Sequence, residues 1–93
     1  MITVKNINGT SNNNCNCGSW INHWTRYSNS PLVFCSQLKC TSMRLLVGAQ
    51  VQKVGDDGWY IIPLCRQHNA EYEELDVCDN TEFVSANVGE TCG

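Results

Sequence analysis

Charge is scarce in this chain and basic charge scarcer still. Only 16% of the 93 residues are charged, there are six Lys and Arg against nine Asp and Glu, and none of the six lies beyond Arg66. A strongly basic footprint for nucleic acid is therefore missing, although a mildly positive face on the first two thirds would be compatible with the counts. No apolar run approaches the roughly 18 residues that span a bilayer, so neither a membrane protein nor a membrane partner is expected. The first ten residues, MITVKNINGT, lack a basic start, an apolar stretch and a small-residue cleavage site in series. Without that signal pattern the expected location is cytoplasmic, in a reducing environment. Prolines number only two, and hydrophobic residues make up 42%, too many for a disordered segment.

What the chain has in quantity is cysteine. Seven in 10.4 kDa, with two histidines, is a ligand-rich composition for a single domain covering residues 1–93. An odd count would leave one thiol over in a purely disulfide-stapled domain, whereas histidine can complete a metal site that uses an odd number of cysteines. Parity thus leans toward metal. A site of three thiolates and one neutral histidine around a divalent ion would add a further negative charge to the net −3 of the chain.

Residues 1–7 alternate apolar and polar and predict a short strand, followed by a flexible Asn-rich loop that completes the stretch 1–14. Trp20, Trp24 and Tyr27 share one face of a short helix over residues 20 to 28 that Ser19 can cap, and Asn29, Ser30 and Pro31 break it. That aromatic stripe reads as core, with a stacking platform for bases as the alternative. Residues 45–54 are apolar and β-prone, Gly55-Asp56-Asp57-Gly58 is a hairpin turn, and Trp59-Tyr60-Ile61-Ile62 is the returning strand, ended by Pro63. A helix is predicted from Leu64 to Leu75 on good helix formers, with Leu64, Tyr72 and Leu75 as its apolar face. The acidic run Glu71, Glu73, Glu74, Asp76 and Asp79 reads as a solvated helix face, Asp56 and Asp57 as a polar turn, and the tail TEFVSANV as β-like.

Two groups of residues carry metal-ligand spacing. Cys35-x4-Cys40 supplies two ligands from a tight turn, and Cys65-x2-His68 supplies two from a helix start, where i, i+3 spacing shares a face. A hairpin lies between the pairs and returns the chain from one to the other, so the expected cofactor is zinc in a closed structural site. Cys15, Cys17 and His23, with Cys92 as fourth ligand if the C-terminal strand pairs near the N-terminus, form a second candidate zinc site. A disulfide or free thiols remain open for these residues, and Cys78 is left as a buried thiol on or near the last helix.

The order knuckle, hairpin, helix over residues 32–75, carried by CSQLKC, GAQVQK and WYIIPLCRQHN, resembles the treble-clef zinc fingers and, within them, the HNH nuclease family. The fold class this implies is a small α+β zinc-bound domain, treble-clef-like, with added terminal strands. In HNH proteins the first hairpin strand carries an Asp-His pair whose histidine is the general base, and the helix begins Leu-Cys-x-x-Cys-His. Here His68 replaces the second structural cysteine, Asn69 stands where the metal-binding histidine would be, and Ala49-Gln50 occupies the place of Asp-His. An amide cannot accept a proton from water as imidazole does, so the resemblance carries the scaffold but not the activity. The expected function is a zinc-stabilised, non-enzymatic interaction or adaptor module with a protein partner. Two alternatives stand beside it: a divergent HNH-like nuclease whose site uses Asn69 and His23, and a secreted disulfide-stapled domain.

Overall fold

A computed structural model of the chain describes residues 2–7, 19–29, 35–37, 40, 46–55, 58–69 and 74–86. Its elements are β1 (Ile2–Asn6), α1 (Trp20–Tyr27), β2 (Leu46–Lys53), β3 (Trp59–Cys65), the single helical turn α2 (Arg66–Asn69), β4 (Leu75–Val77) and β5 (Val84–Ser85). The protein is thus of the α+β class, with an antiparallel five-stranded sheet in the order β4-β1-β2-β3-β5.

The β2–β3 hairpin forms the centre of the sheet. Its register runs from Leu46 opposite Cys65 to Gln52 opposite Trp59, and Gly55 turns the chain beyond it with φ at +86°, a conformation glycine adopts without a Cβ penalty. β1 pairs with β2 on one side, and β4 extends the sheet beyond β1 with Ile2 opposite Val77. β5 adds to the other side of β3, pairing only with Tyr60 and Ile61. Because side chains alternate across a strand, the sheet presents two different faces. One carries Val4, Ala49, Val51, Ile62, Leu64, Leu75 and Val77, which form the main core together with Cys35 and Cys65. The other carries Ile61 and Val84, covered by Trp24 of α1 with Trp20 and Tyr27 packed alongside.

The short segment 35–37 determines how the sheet is shaped. The Ser36 N–H donates to the carbonyl of Pro63 in β3 at 2.9 Å, and the Ser36 carbonyl accepts from the N–H of Cys78, just past β4, at 3.0 Å. Gln37 forms a bridge with Val77. β3 and β4 are three strand spacings apart in the sheet order, about 14 Å if the sheet were flat. One residue bonded to both leaves them no more than roughly 10 Å apart at that end, so the sheet curls and the main core fills the hollow.

Two expectations are corrected here. Pro63 does not end its strand: β3 continues to Cys65, with Pro63 opposite Gly48. In an extended strand the N and C=O of one residue point to the same side, and the Pro63 carbonyl faces Ser36. The missing N–H therefore costs no bond to β2. Nor does a helix run from Leu64 to Leu75. Leu64 lies in β3 opposite Val47, α2 is one turn, and Leu75 lies in β4 opposite Val4. Both leucines are buried in the same core from different strands, and that burial outweighs the helical preference of the sequence between them. The Asn-rich loop, Asp56, Asp57, Glu71, Tyr72 and Glu73 lie outside the described residues.

α1 forms where the aromatic spacing placed it. Ser19 Oγ accepts from the Asn22 N–H at 3.2 Å, which satisfies one of the otherwise orphaned donors of the first turn. The helix sits so close to β2 that a Cβ built on Gly48 would overlap the backbone of Trp20 and Ile21. Backbone cannot rotate away as a side chain can, so only glycine lets α1 rest there. Gly48→Ala should accordingly displace the start of α1 and cost about 1–3 kcal/mol, read as a drop in the midpoint of urea unfolding. An unchanged midpoint would mean that α1 is not seated on β2 as described.

Candidate metal centre

The hairpin and the 35–37 segment bring four sequence-distant groups to one corner of the core. Cys65 is the last residue of β3, held by its pairing with Leu46, and His68 follows three residues later in α2. One helical turn suffices to direct the His68 ring back toward Cys65: Nδ1 lies 3.1 Å from Cys65 Sγ and 3.5 Å from Cys35 Sγ. Cys35 is placed beside them by the backbone bonds of Ser36, and Cys40 returns through a turn in which its N–H donates to the Gln37 carbonyl at 3.0 Å. The ligand atoms of Cys35, Cys40, Cys65 and His68 all lie within 4.8 Å of one another. A cluster of this kind could hold a metal ion, and it combines the two pairs that the spacing of the sequence singled out.

Exposure is uneven across the cluster. Cys35 is fully buried and Cys65 nearly so, whereas Cys40 and His68 are half-buried. Burial pushes the Cys35 thiol up from its ordinary 9.0 to about 12, because a thiolate there would lose its hydration. Opposing that, the backbone N–H groups of Cys65 and Gln37 donate to the Cys35 sulfur, while a hydrogen bond shared with Cys40 and the nearby Cys65 sulfur raise it again. A site with two backbone donors aimed at one sulfur is built to stabilise a thiolate, but it does so only when a cation supplies the missing compensation. Metal uptake must expel the Cys35 proton, so affinity rises with pH.

The second candidate group is not brought together among the described residues. Cys15, Cys17 and Cys92 lie outside them, and no second cluster of three or more His, Cys, Asp or Glu occurs within them. His23 is fully buried in α1, flanked by Trp20 and Tyr27 with ring centroids 5.1 Å away on each side. Its Nε2 donates to the Ser85 carbonyl at 2.8 Å, which fixes the ring against β5. β1 lies between β2 and β4, and the described part of the tail, β5, pairs with β3 instead. The expectation for Cys78 is corrected as well: it follows a strand and not a helix, and is half-buried.

Sequence reasoning missed the positioning role of residues 36 and 37. Their contribution is made by backbone groups, which leave no mark in residue identity. Cys35, Cys40, Cys65 and Cys78 form no disulfide. No helix among the described residues is long and apolar enough to cross a membrane. Compared with protein-family models, curated proteins and solved structures, the chain matches none.

The raised Cys35 value has a consequence for the metal-free protein. An unfolded Cys35 ionises near 9.0 while the folded one keeps its proton to about 12, so its contribution to stability is complete below pH 9 and is lost as pH climbs toward 12. The difference in melting temperature between reduced, metal-free wild type and Cys35→Ala should therefore narrow across that window. A difference independent of pH would contradict the burial of this thiol.

Proposed function

We propose that the protein is a zinc-stabilised, treble-clef-like module that works by binding a protein partner and not by catalysis. The observation that carries this reading is the closure of one four-donor cluster by Cys35, Cys40, Cys65 and His68. Zinc–sulfur and zinc–nitrogen bonds of about 2.3 and 2.0 Å in a tetrahedron put neighbouring donor atoms about 3.5–3.8 Å apart. The distances from His68 Nδ1, 3.1 and 3.5 Å, fall close to that edge. Three sulfurs and one imidazole select a borderline-soft ion over magnesium or calcium, which take oxygen. Four protein donors leave no coordination position for a water nucleophile, and the site then contributes stability and not chemistry. Three reduced cysteines fit a reducing compartment.

Support for the treble-clef reading lies in the order of the parts: a cysteine turn, the β2–β3 hairpin, and a helical turn starting directly after Cys65. The brevity of α2 and the strands β1, β4 and β5 around the hairpin depart from the minimal form. The nuclease alternative fares less well on the positions it needs. Gln50, in the place of the general base, is buried against the α1 side of the sheet, and His23, proposed to assist, is sealed between two aromatic rings with Nε2 on a carbonyl. Neither presents a proton acceptor to solvent.

Native mass spectrometry of the reduced protein after zinc reconstitution should find zinc bound at the cluster, and Cys65→Ser should weaken zinc binding by two or more orders of magnitude, about 3 kcal/mol. Zinc retained at wild-type affinity in Cys65→Ser would refute the site. Incubation with plasmid DNA and magnesium, manganese or nickel should leave the DNA intact; cleavage abolished by His23→Ala would establish the nuclease instead.

A further inference from the structure

We propose that Cys40 is a hydroperoxide-sensitive thiol and that its oxidation ends in a Cys35–Cys40 disulfide, which withdraws two of the four ligands and releases the metal. The inference rests on the zinc reading of the cluster and adds a mode of regulation to it.

Three observations converge on this pair. The first is accessibility: of the three sulfurs, Cys35 and Cys65 are buried in the core while Cys40 is half-exposed, so an oxidant reaches Cys40 first. The second is proximity. Cys40 shares a hydrogen bond with the Cys35 sulfur, and all the ligand atoms lie within 4.8 Å, a gap that must close to about 2.05 Å in a disulfide. The third is the attachment of each cysteine. Cys65 is held in the β2–β3 ladder opposite Leu46, and Cys35 is held by the bonds of Ser36 next to it. Cys40 is tied to the segment of Cys35 by its N–H bond to the Gln37 carbonyl, so Cys35, five residues away in sequence, is its partner from the same segment while Cys65 comes from β3.

The chemistry balances with a hydroperoxide as the two-electron oxidant. The Cys40 thiolate attacks the terminal oxygen, the O–O bond breaks, and the departing alkoxide or hydroxide takes a proton, leaving Cys40 as sulfenic acid. The Cys35 sulfur then attacks the Cys40 sulfur. The S–S bond forms, the S–OH bond breaks, and the hydroxide leaves as water with the proton of the thiol, or with one from solvent where Cys35 had been metal-bound. Two thiols and one hydroperoxide thus yield a disulfide, an alcohol or water, and a further water.

What remains at the site is Cys65 and His68, a two-donor pair that cannot retain the ion. The bonds that curl the sheet, Ser36 to Pro63, Cys78 to Ser36 and Gln37 to Val77, involve none of the sulfurs. Oxidation therefore opens one corner of the core without dismantling the strands. Because the cluster holds three cysteines, one thiol, Cys65, is left over after the disulfide forms.

The test begins with zinc-loaded protein, its metal counted by native mass spectrometry, exposed to hydrogen peroxide in the presence of a chromogenic chelator. Expected is release of the cluster zinc in step with a Cys35–Cys40 linkage in peptide maps, Cys65 still alkylatable, and zinc uptake restored by a dithiol. Cys40→His keeps four donors and removes the accessible thiol, so its zinc release should slow at least tenfold. If that variant holds no zinc, the wild-type peptide map decides alone. Zinc retained while other cysteines oxidise, release with sulfinic acid and no linkage, or a Cys40–Cys65 linkage would each overturn the proposal. Should the wild type take up no zinc, the structural-zinc reading fails by itself. The same treatment of the metal-free protein then decides whether the Cys35–Cys40 pair forms: its formation upholds the thiol pair, its absence refutes it.

Discussion

Two backbone hydrogen bonds made by one residue hold the architecture together. Ser36 reaches Pro63 with its N–H and Cys78 with its carbonyl, and those two anchor points belong to the ends of strands that the sheet order keeps apart. The curl they impose creates the hollow in which the main core packs. It also places Cys35, one residue earlier, against the end of β3. Buried backbone groups must find partners, and here the bonds that satisfy segment 35–37, to Pro63, Cys78 and Cys40, also hold Cys35 and Cys40 beside the end of β3. Fold and site are consequently a single construction.

The opposite face of the sheet obeys a different logic. α1 is attached there by aromatic packing and by a group of polar bonds to one short stretch of chain: His23 to the Ser85 carbonyl, the Trp24 indole to the Glu82 carbonyl, and the Asn29 N–H to the Glu82 carboxylate, each at 2.8 Å. β5 is only two residues long, too short to persist on ladder bonds alone, so the helix and the strand secure each other. This explains why a histidine with metal-ligand spacing is occupied in holding the fold. Its ring fills a slot between Trp20 and Tyr27 and supplies the donor that the Ser85 carbonyl requires.

A chain of this size buries a core only large enough for marginal stability. A metal held by Cys35, Cys40, β3 and α2 would cross-link these parts of the chain, and its binding free energy would count toward folding. The same economy makes the site sensitive. Three cysteines gathered at one corner, with Cys40 the most exposed of them, would on the redox proposal lose the metal through that member.

Much of the local structure was legible in the residues. The aromatic spacing and Ser19 located α1, the Gly-Asp-Asp-Gly turn between two β-prone runs located the central hairpin, and two ligand pairs flanking that hairpin named the cluster. Each of these signals is local, written in side chains a few residues apart or in one turn. The fate of Leu64 to Leu75 was not written that way. Its residues favour a helix in isolation, yet Leu64 and Leu75 end in separate strands, opposite Val47 and Val4, because both leucines are buried in the main core. Pro63 was misread for a related reason: whether its missing N–H breaks a strand depends on which side the carbonyl of the same residue faces, and only the position of Ser36 decides that. Sequence by itself therefore determined the cysteine–histidine cluster and the hairpin that unites it, while the sheet order, the curl and the clasp at Ser36 were decided by tertiary structure, because backbone groups carry no residue-specific signal and strand partners are chosen by burial across the whole chain.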